Sequence, residues 1–525
     1  MSTFCTSSDG SLSIEWDFLR RRALRAPRAH ARPGGRWMIA QDEAMQPQVR
    51  VLDENQITAI HRASLDVLGR TGYDVPLAEA RELLAAAGAR IDGQRAWIPS
   101  RLVEQALESM RVAELYDRNG RATPVLQREH VAFGGLVDTS YVRDYRTGKV
   151  RRFFMRDQEW MATVHDALPN IEWIQVVGQS HDVPDEIQTQ VAYAHTVRHT
   201  TKPILVYPYD RQGLLDVLDV AAAIAGGEGA YRDKPFMFCA SVPAAPLSGT
   251  GFNLELLLTC AEREVPMLYY ACPAAGGNSP ASLVGSLILA TADWLGALVI
   301  HQLRRPGAPV CTFGFTAQLM EMRTMIWSYS APEMQRACGA IADMAHFYGL
   351  PAWGTVLESD YPVLDGQAGA EMSTAALWAM FSGVEMVHNI GRSGAGKLVS
   401  AEAAVLADEI IACARAAVQP MEVSDCVLDE NVRLIDEMGP MGEYLTHEHT
   451  LRHFRDYWYP ALFDRPHFDP QGGDVGPELC DRLSARAKVL IEDHTSPTLS
   501  AGTLAEMEAM ERNWYKRAGQ RRMAA

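Results

Sequence analysis

The sequence predicts an α/β fold, a (β/α)8 TIM-type barrel with an N-terminal helical cap and a C-terminal helical extension. Three observations carry the prediction. Eight short, apolar, β-rich runs recur at residues 131–133, 173–177, 204–207, 236–242, 267–271, 310–315, 352–356 and 386–390. Stretches of helical periodicity separate them, at 157–168, 187–198, 213–225, 254–263, 282–303, 332–347 and 367–381. The alternation occupies residues 131–400, the strand count and the size of a barrel. A doubly wound open sheet is the alternative that the same alternation allows.

Taken in order, the elements divide the 525 residues into four regions. Residues 1–45 are basic, Arg-rich and interrupted by Pro and Gly, and read as a disordered or spurious extension with little to bury. Residues 46–130 read as the helical cap. Leu52 to Arg70 forms an amphipathic helix that Asp53 can cap, with Ile57, Ile60, Ser64, Leu65 and Leu68 near one face. Two more helices are expected at 76–87 and 99–110. Within the barrel, Pro203, Pro235, Pro266, Pro309 and Pro351 each stand at a strand entry, where a missing N–H is tolerated. Residues 141–154 read as a hairpin inserted after the first strand, turning at Arg146-Thr-Gly148. Residues 401–525 read as helical, at 403–417, 446–457, 477–493 and 504–517, packed on the barrel and shaping oligomer contacts.

Composition bounds the function. A net charge of −16 opposes nucleic-acid binding, which needs a basic face. The longest apolar stretch, 287–302, is broken by Asp293 and His301, so no membrane span is expected. Nine cysteines without a C-x-x-C pair fit reduced thiols in a cytoplasm.

Barrel chemistry sits on the loops at the strands' C-terminal ends. Those ends carry Tyr207, Tyr209, Tyr269, Tyr270, Phe313, Phe315 and Trp353, with Gln179, His181, Glu358, His388 and Asn389 as polar company. Aromatic faces turned inward suit a quaternary ammonium, a cation that cannot donate hydrogen bonds. Against this, strand alternation sends half of such side chains outward under the helices. Gly391-Arg-Ser-Gly-Ala-Gly396-Lys397 nearly spells a phosphate-binding loop, but Leu398 replaces the hydroxyl residue, and a loop over the barrel mouth is the better reading. His447, His449 and His453 have the spacing of a metal-binding helix, yet no Cys lies near, and surface or capping histidines are expected. Cys272 at a strand end is a possible nucleophile, although an inert buried thiol is commoner.

From about residue 50 to 515 the chain resembles the trimethylamine methyltransferase superfamily, whose nonpyrrolysine branch includes glycine betaine methyltransferase. The matching stretches are Leu52-Asp-Glu-Asn-Gln-Ile-Thr-Ala-Ile-His61, Asp166-Ala-Leu-Pro-Asn-Ile171, Tyr348-Gly-Leu-Pro351, Asp365-Gly-Gln-Ala-Gly-Ala-Glu371 and Leu445-Thr-His-Glu-His-Thr450 with His453-Phe-Arg455. The resemblance implies a (β/α)8 barrel and methyl transfer to the cobalt of a corrinoid on a separate partner protein. In the trimethylamine enzymes pyrrolysine precedes the Asp-x-Gln-Ala-Gly segment. Here that loop, Glu358 to Asp365, holds only standard residues, so trimethylamine is not the expected substrate.

The sequence thus leads to a cytoplasmic, oligomeric methyltransferase acting on a quaternary amine, glycine betaine or a related betaine, with a corrinoid protein as partner and no tightly bound metal. By strand-end position Tyr207, Tyr269, Phe313, Phe315 and Trp353 would hold the ammonium. Glu358 and Asp360 would add negative field, and His388, Asn389 and Arg392 would meet a substrate carboxylate. The alternatives are a zinc-dependent barrel enzyme using His449 and His453, and a non-catalytic betaine binder.

Overall fold

The computed structural model describes residues 49–135, 139–176, 179–243, 246–315, 318–466 and 476–524. The extension expected over residues 1–45 and Val177 of the second predicted strand lie outside them. All eight predicted barrel strands are present: β1 Ala132–Gly135, β2 Ile171–Val176, β3 Ile204–Val206, β4 Met237–Ser241, β5 Met267–Tyr269, β6 in two pieces at Pro309–Val310 and Phe313–Gly314, β7 Ala352–Val356 and β8 Met386–Ile390. Each pairs in parallel with the next, and β8 pairs with β1 through Met386 and Ala132, which closes the ring. The open-sheet alternative is thereby excluded.

A helix follows each strand, from Met155–Ala167 after β1 to Ala401–Ala417 after β8. Polar caps set several of their starts: Asp210 accepts from Gly213 N at 2.6 Å, and Ser400 accepts from Ala403 N at 3.1 Å. The strand-entry prolines lack a donor, but their carbonyls take the first rungs. Pro203 O receives Ile174 N, Pro266 O receives Cys239 N, and Pro351 O receives Phe313 N. The longest of these helices, Leu283–Arg304, is long and apolar enough to cross a membrane, but most of it is buried inside the protein.

Two apolar layers result. The larger lies between strands and helices. The second fills the ring with Trp173, Leu205, Phe238, Leu268, Cys311, Trp353 and Met386. Trp173 crosses β1 at Gly134, where an added Cβ would stand 2.1 Å from the indole. The residue pair Arg111–Val112 adds in parallel to Pro309–Val310, and the following chain runs beneath the strand entries, with Tyr116 N bonded to Pro235 O and Arg118 N to Thr201 O. It inserts Leu115, Val125 and Leu126 into the inner layer. The ring is therefore plugged at its N-terminal end.

Helix Glu54–Arg70 carries a capping box between Asp53 and Gln56 and buries Ile57, Ile60, Ser64 and Leu68, with Leu65 only half-buried. The inserted hairpin forms as expected, Tyr141–Arg143 against Val150–Arg152. Beyond the barrel, helices Leu479–Asp493 and Ala501–Ala524 match expectation, the helix around 446–457 shortens to Glu448–His453, and a further helix, Asp425–Met438, appears behind the Ser424 cap.

The last helix is tied to the barrel layer by charge. His195 bonds Glu159 at 2.6 Å and Glu511 at 3.1 Å, and Arg517 pairs with Asp216. Burial disfavours the imidazolium, but the two carboxylates outweigh it and raise the His195 pKa to about 9. The same contacts hold Glu159 and Glu511 below the usual carboxylate range. The histidine's contribution is complete below its unfolded pKa and is lost as pH rises through about 9, while the carboxylates' contribution is lost in acid. His195→Gln is expected to cost roughly 1.5–3 kcal/mol near pH 6 and progressively less above pH 9. Thermal melts of both proteins across pH test this, and a pH-independent difference would refute it.

Candidate functional site

The plugged floor leaves a cavity of about 280 Å³ at the opposite end, over the strand C-termini. Gln175, Gln179, Tyr207, Tyr270, His388, Asn389 and Arg392 line it from the strand ends. Trp327 and Tyr329 reach it from a hairpin after β6, built from Gln318–Glu321 and Ile326–Ser328. A larger hollow, about 520 Å³ and lined by Asp343, His346 and Glu385 among others, lies at the strand entries, away from the end where barrels place their chemistry.

Of the aromatic residues expected at the mouth, Tyr207, Tyr209 and Tyr270 line the cavity, whereas Trp353 does not line it and lies beneath two residues that do. Trp353 is fully buried, stacks under His388 at 4.1 Å between ring centroids, and lies 5.1 Å from Tyr270. Tyr269, Phe313 and Phe315 do not reach it. Tyr269 faces the helices and hydrogen-bonds Tyr73 at 2.7 Å. Phe313 packs on Trp294 and Tyr348, and Phe315 sits among Leu52, Leu287 and Ala340. Period-two alternation explains the correction: Tyr270, one residue beyond Tyr269, takes the inward position. Its hydroxyl lies 3.2 Å from that of Tyr207, which donates to Gln175 Oε1 at 2.8 Å.

Alternation fails where the site needs it to. His388 and Asn389 are consecutive in β8, yet both line the cavity. Between Val387 and Ile390 the register against β1 gains one residue, and Asn389 has φ +69°. Such a bulge turns a second side chain to the same face, and Asn tolerates the left-handed conformation better than most residues.

Glu358 and Asp360, expected to face the ligand, do other work. Glu358 is buried behind the lining and ion-pairs with Arg392, whose guanidinium also lies over Tyr329, 4.7 Å from its centroid. Burial pushes the Glu358 carboxyl up, Arg392 pulls it down, and the balance leaves it at about 7. Asp360 clasps the hairpin, accepting from Ser328 Oγ at 2.6 Å, Tyr329 N at 2.9 Å and Ser330 N at 3.1 Å. No acidic residue lines the cavity among those described. Gly391 to Lys397 forms the first strand and turn of a short hairpin, Arg392–Ser393 against Leu398–Val399, and Gly396 lets the Arg392 guanidinium pass close by. Cys272 lines the cavity, and His181 bonds Phe153 O at 3.2 Å instead.

One consequence is direct. Bonds to a charged carboxylate are worth roughly 1.5–3 kcal/mol each, so Asp360→Ala should speed amide exchange at Tyr329 and Ser330 by at least about tenfold. Hydrogen-exchange mass spectrometry of the peptide spanning them is the check, and unchanged protection would show that something else holds the hairpin.

Residues 19–515 match the family described as trimethylamine methyltransferase (MTTB). A trimethylamine methyltransferase MttB from Desulfitobacterium hafniense is 26% identical over 464 residues, covering 87% of this chain and 92% of that protein. A glycine betaine methyltransferase from the same species is 26% identical over 470 residues, covering 88% and 96%. Among solved structures, the monomethylamine methyltransferase MtmB of Methanosarcina barkeri is similar with a TM-score of 0.48 and 11% identity, covering 85% of this chain and 88% of that one. The chain belongs to the trimethylamine methyltransferase family of enzymes.

Proposed function

We propose that the enzyme moves a methyl group from a carboxylate-bearing quaternary amine, glycine betaine or a related betaine, to the Co(I) corrinoid of a separate partner protein, in the cytoplasm. The observation that carries this reading is the mixed lining of the cavity. Tyr207, Tyr270 and Trp327 offer aromatic surface to a quaternary ammonium. His388, Asn389 and Arg392 in the same lining offer hydrogen-bonding and cationic groups to a carboxylate. A cavity whose described lining holds no acid favours a zwitterion over a simple cation.

The chain's own task is orientation and the exclusion of water. The C–N bond breaks with its electron pair left on nitrogen, so the leaving group is a neutral tertiary amine and no general acid is required. Co(I) supplies the pair that forms the new bond to carbon. Three of the lining residues, Tyr209, Phe252 and Trp327, are also exposed, which suits a large partner brought against the mouth. The zinc-enzyme reading loses support, because neither His449 nor His453 lines the cavity.

The test combines the protein with a reduced corrinoid protein and a panel of quaternary amines, following the cobalt spectrum and the demethylated product. A betaine should react and tetramethylammonium should react far more slowly. Thermal stabilisation by betaine without product would favour the non-catalytic binder.

Two further outcomes follow from the Arg392 side. Arg392→Met should weaken binding of carboxylate-bearing amines roughly 10- to 100-fold and leave tetramethylammonium almost unaffected. Below pH 7 Glu358 is neutral and Arg392 keeps its full field, whereas above about 7 the pair cancels. Betaine affinity should therefore fall as pH rises through about 7, and Glu358→Gln should flatten that dependence. Calorimetric titration across pH reads both, and a flat wild-type profile would remove Glu358 from the account.

A further inference from the structure

Helix Asp425–Met438 and the short helix Glu448–His453 lie in the C-terminal region. The first buries only Leu434 and leaves Leu428, Val432 and Ile435 at least half exposed; the second buries no residue. Isolated helices shorter than about 12 residues are marginal in water, so a six-residue helix with nothing buried needs another source of order.

Its side chains point to one. Glu430 of the first helix and His449 and His453 of the second each bring a ligand atom within 4.8 Å of the others. The two imidazoles face each other across 4.3 Å between centroids. In a tetrahedral site with metal–ligand bonds of roughly 2.0–2.2 Å, ligand atoms stand about 3.4 Å apart. Small side-chain rotations close that difference.

The surrounding bonds are those a metal site uses to aim its ligands. His453 Nδ1 is tied to Asp456 Oδ2 at 2.7 Å, which leaves Nε2 for a metal. Arg452 Nη2 donates to one oxygen of Glu430 at 3.2 Å and leaves the other for a metal. His447, the third histidine of the motif, is committed elsewhere: its Nδ1 accepts from His449 N at 3.1 Å and caps the helix.

We propose that Glu430, His449 and His453 form a site for a borderline divalent metal of the zinc class, with a fourth position open to water, that clips the two helices together. Two imidazoles and one carboxylate select Zn²⁺, Co²⁺ or Ni²⁺ over Mg²⁺ and Ca²⁺, which prefer all-oxygen sets. None of the site's three residues lines the barrel cavity, so it stands or falls apart from the methyl-transfer reading.

The experiment uses the full chain without a histidine tag, stripped with a chelator and titrated with Co²⁺. Wild type should take up about one equivalent with the intense visible absorption of tetrahedral cobalt, displaced by Zn²⁺. Hydrogen exchange across residues 425–456 should slow on metal addition. A His449→Ala/His453→Ala double variant should lose the absorption, Asp456→Asn should weaken binding about 10- to 100-fold, and Glu437→Gln, on the same helix as Glu430 but outside the cluster, should bind as wild type. Because these positions carry little or no buried apolar surface, circular dichroism should show every variant folded. Wild type without the cobalt bands, or a double variant binding as wild type does, would overturn the proposal.

Discussion

The molecule depends on how the interior of an eight-stranded ring is filled. A ring of this size holds packed side chains and no pore, with alternate strands contributing to each layer. Trp173 and Trp353 are the largest inward groups, 5.7 Å apart between ring centroids, and Phe238 stands 5.9 Å from Trp173. Their bulk is accommodated because Gly134 yields to the Trp173 indole. Together with the plug carrying Leu115, Val125 and Leu126, they seal one end and leave usable volume only at the other.

Everything at the mouth is built on that base. His388 rests on Trp353, so its ring plane is fixed by stacking before any ligand arrives. Arg392 is held between the Glu358 carboxylate and the face of Tyr329, and Tyr329 is held in turn by Asp360 through its backbone N–H. The acids that precede the helix starting at Gly366 therefore organise cationic and aromatic groups instead of meeting a ligand. A site that works chiefly by placing a methyl group in line gains from such rigidity, since misplacement of an ångström costs rate steeply.

Beyond the barrel, the chain changes character. Helix Ala501–Ala524 is joined to the barrel layer by ion pairs that include a twice-partnered histidine. Residues 425–459 have little buried apolar surface, with Met421, Val423, Met441 and Tyr457 largely exposed nearby. Order there has to come from polar or coordinate bonds, or from another molecule covering the surface.

The sequence by itself determined the strand and helix order, because apolar period and Pro, Gly and Asp punctuation are local signals, while closure of the ring over an open sheet was decided by the pairing of β8 with β1. The sequence also located β8 and Arg392, and the hairpin with its turn at Gly148. Only the tertiary structure decided which side chains face inward. Tyr269 and Tyr270 are equivalent as text, and a shift of one residue sends one to the helices and the other to the cavity. The bulge that turns both His388 and Asn389 inward has no sequence signature beyond an Asn, since it is set by register against a strand some 250 residues away. Trp327 and Tyr329 escaped notice because they belong to a hairpin after β6 that is held at the site by long-range contacts, with Asp360 and with Arg392. The Glu358–Arg392 pair likewise joins residues of two neighbouring strands' loops, and spatial proximity of that kind is a property of the folded ring alone.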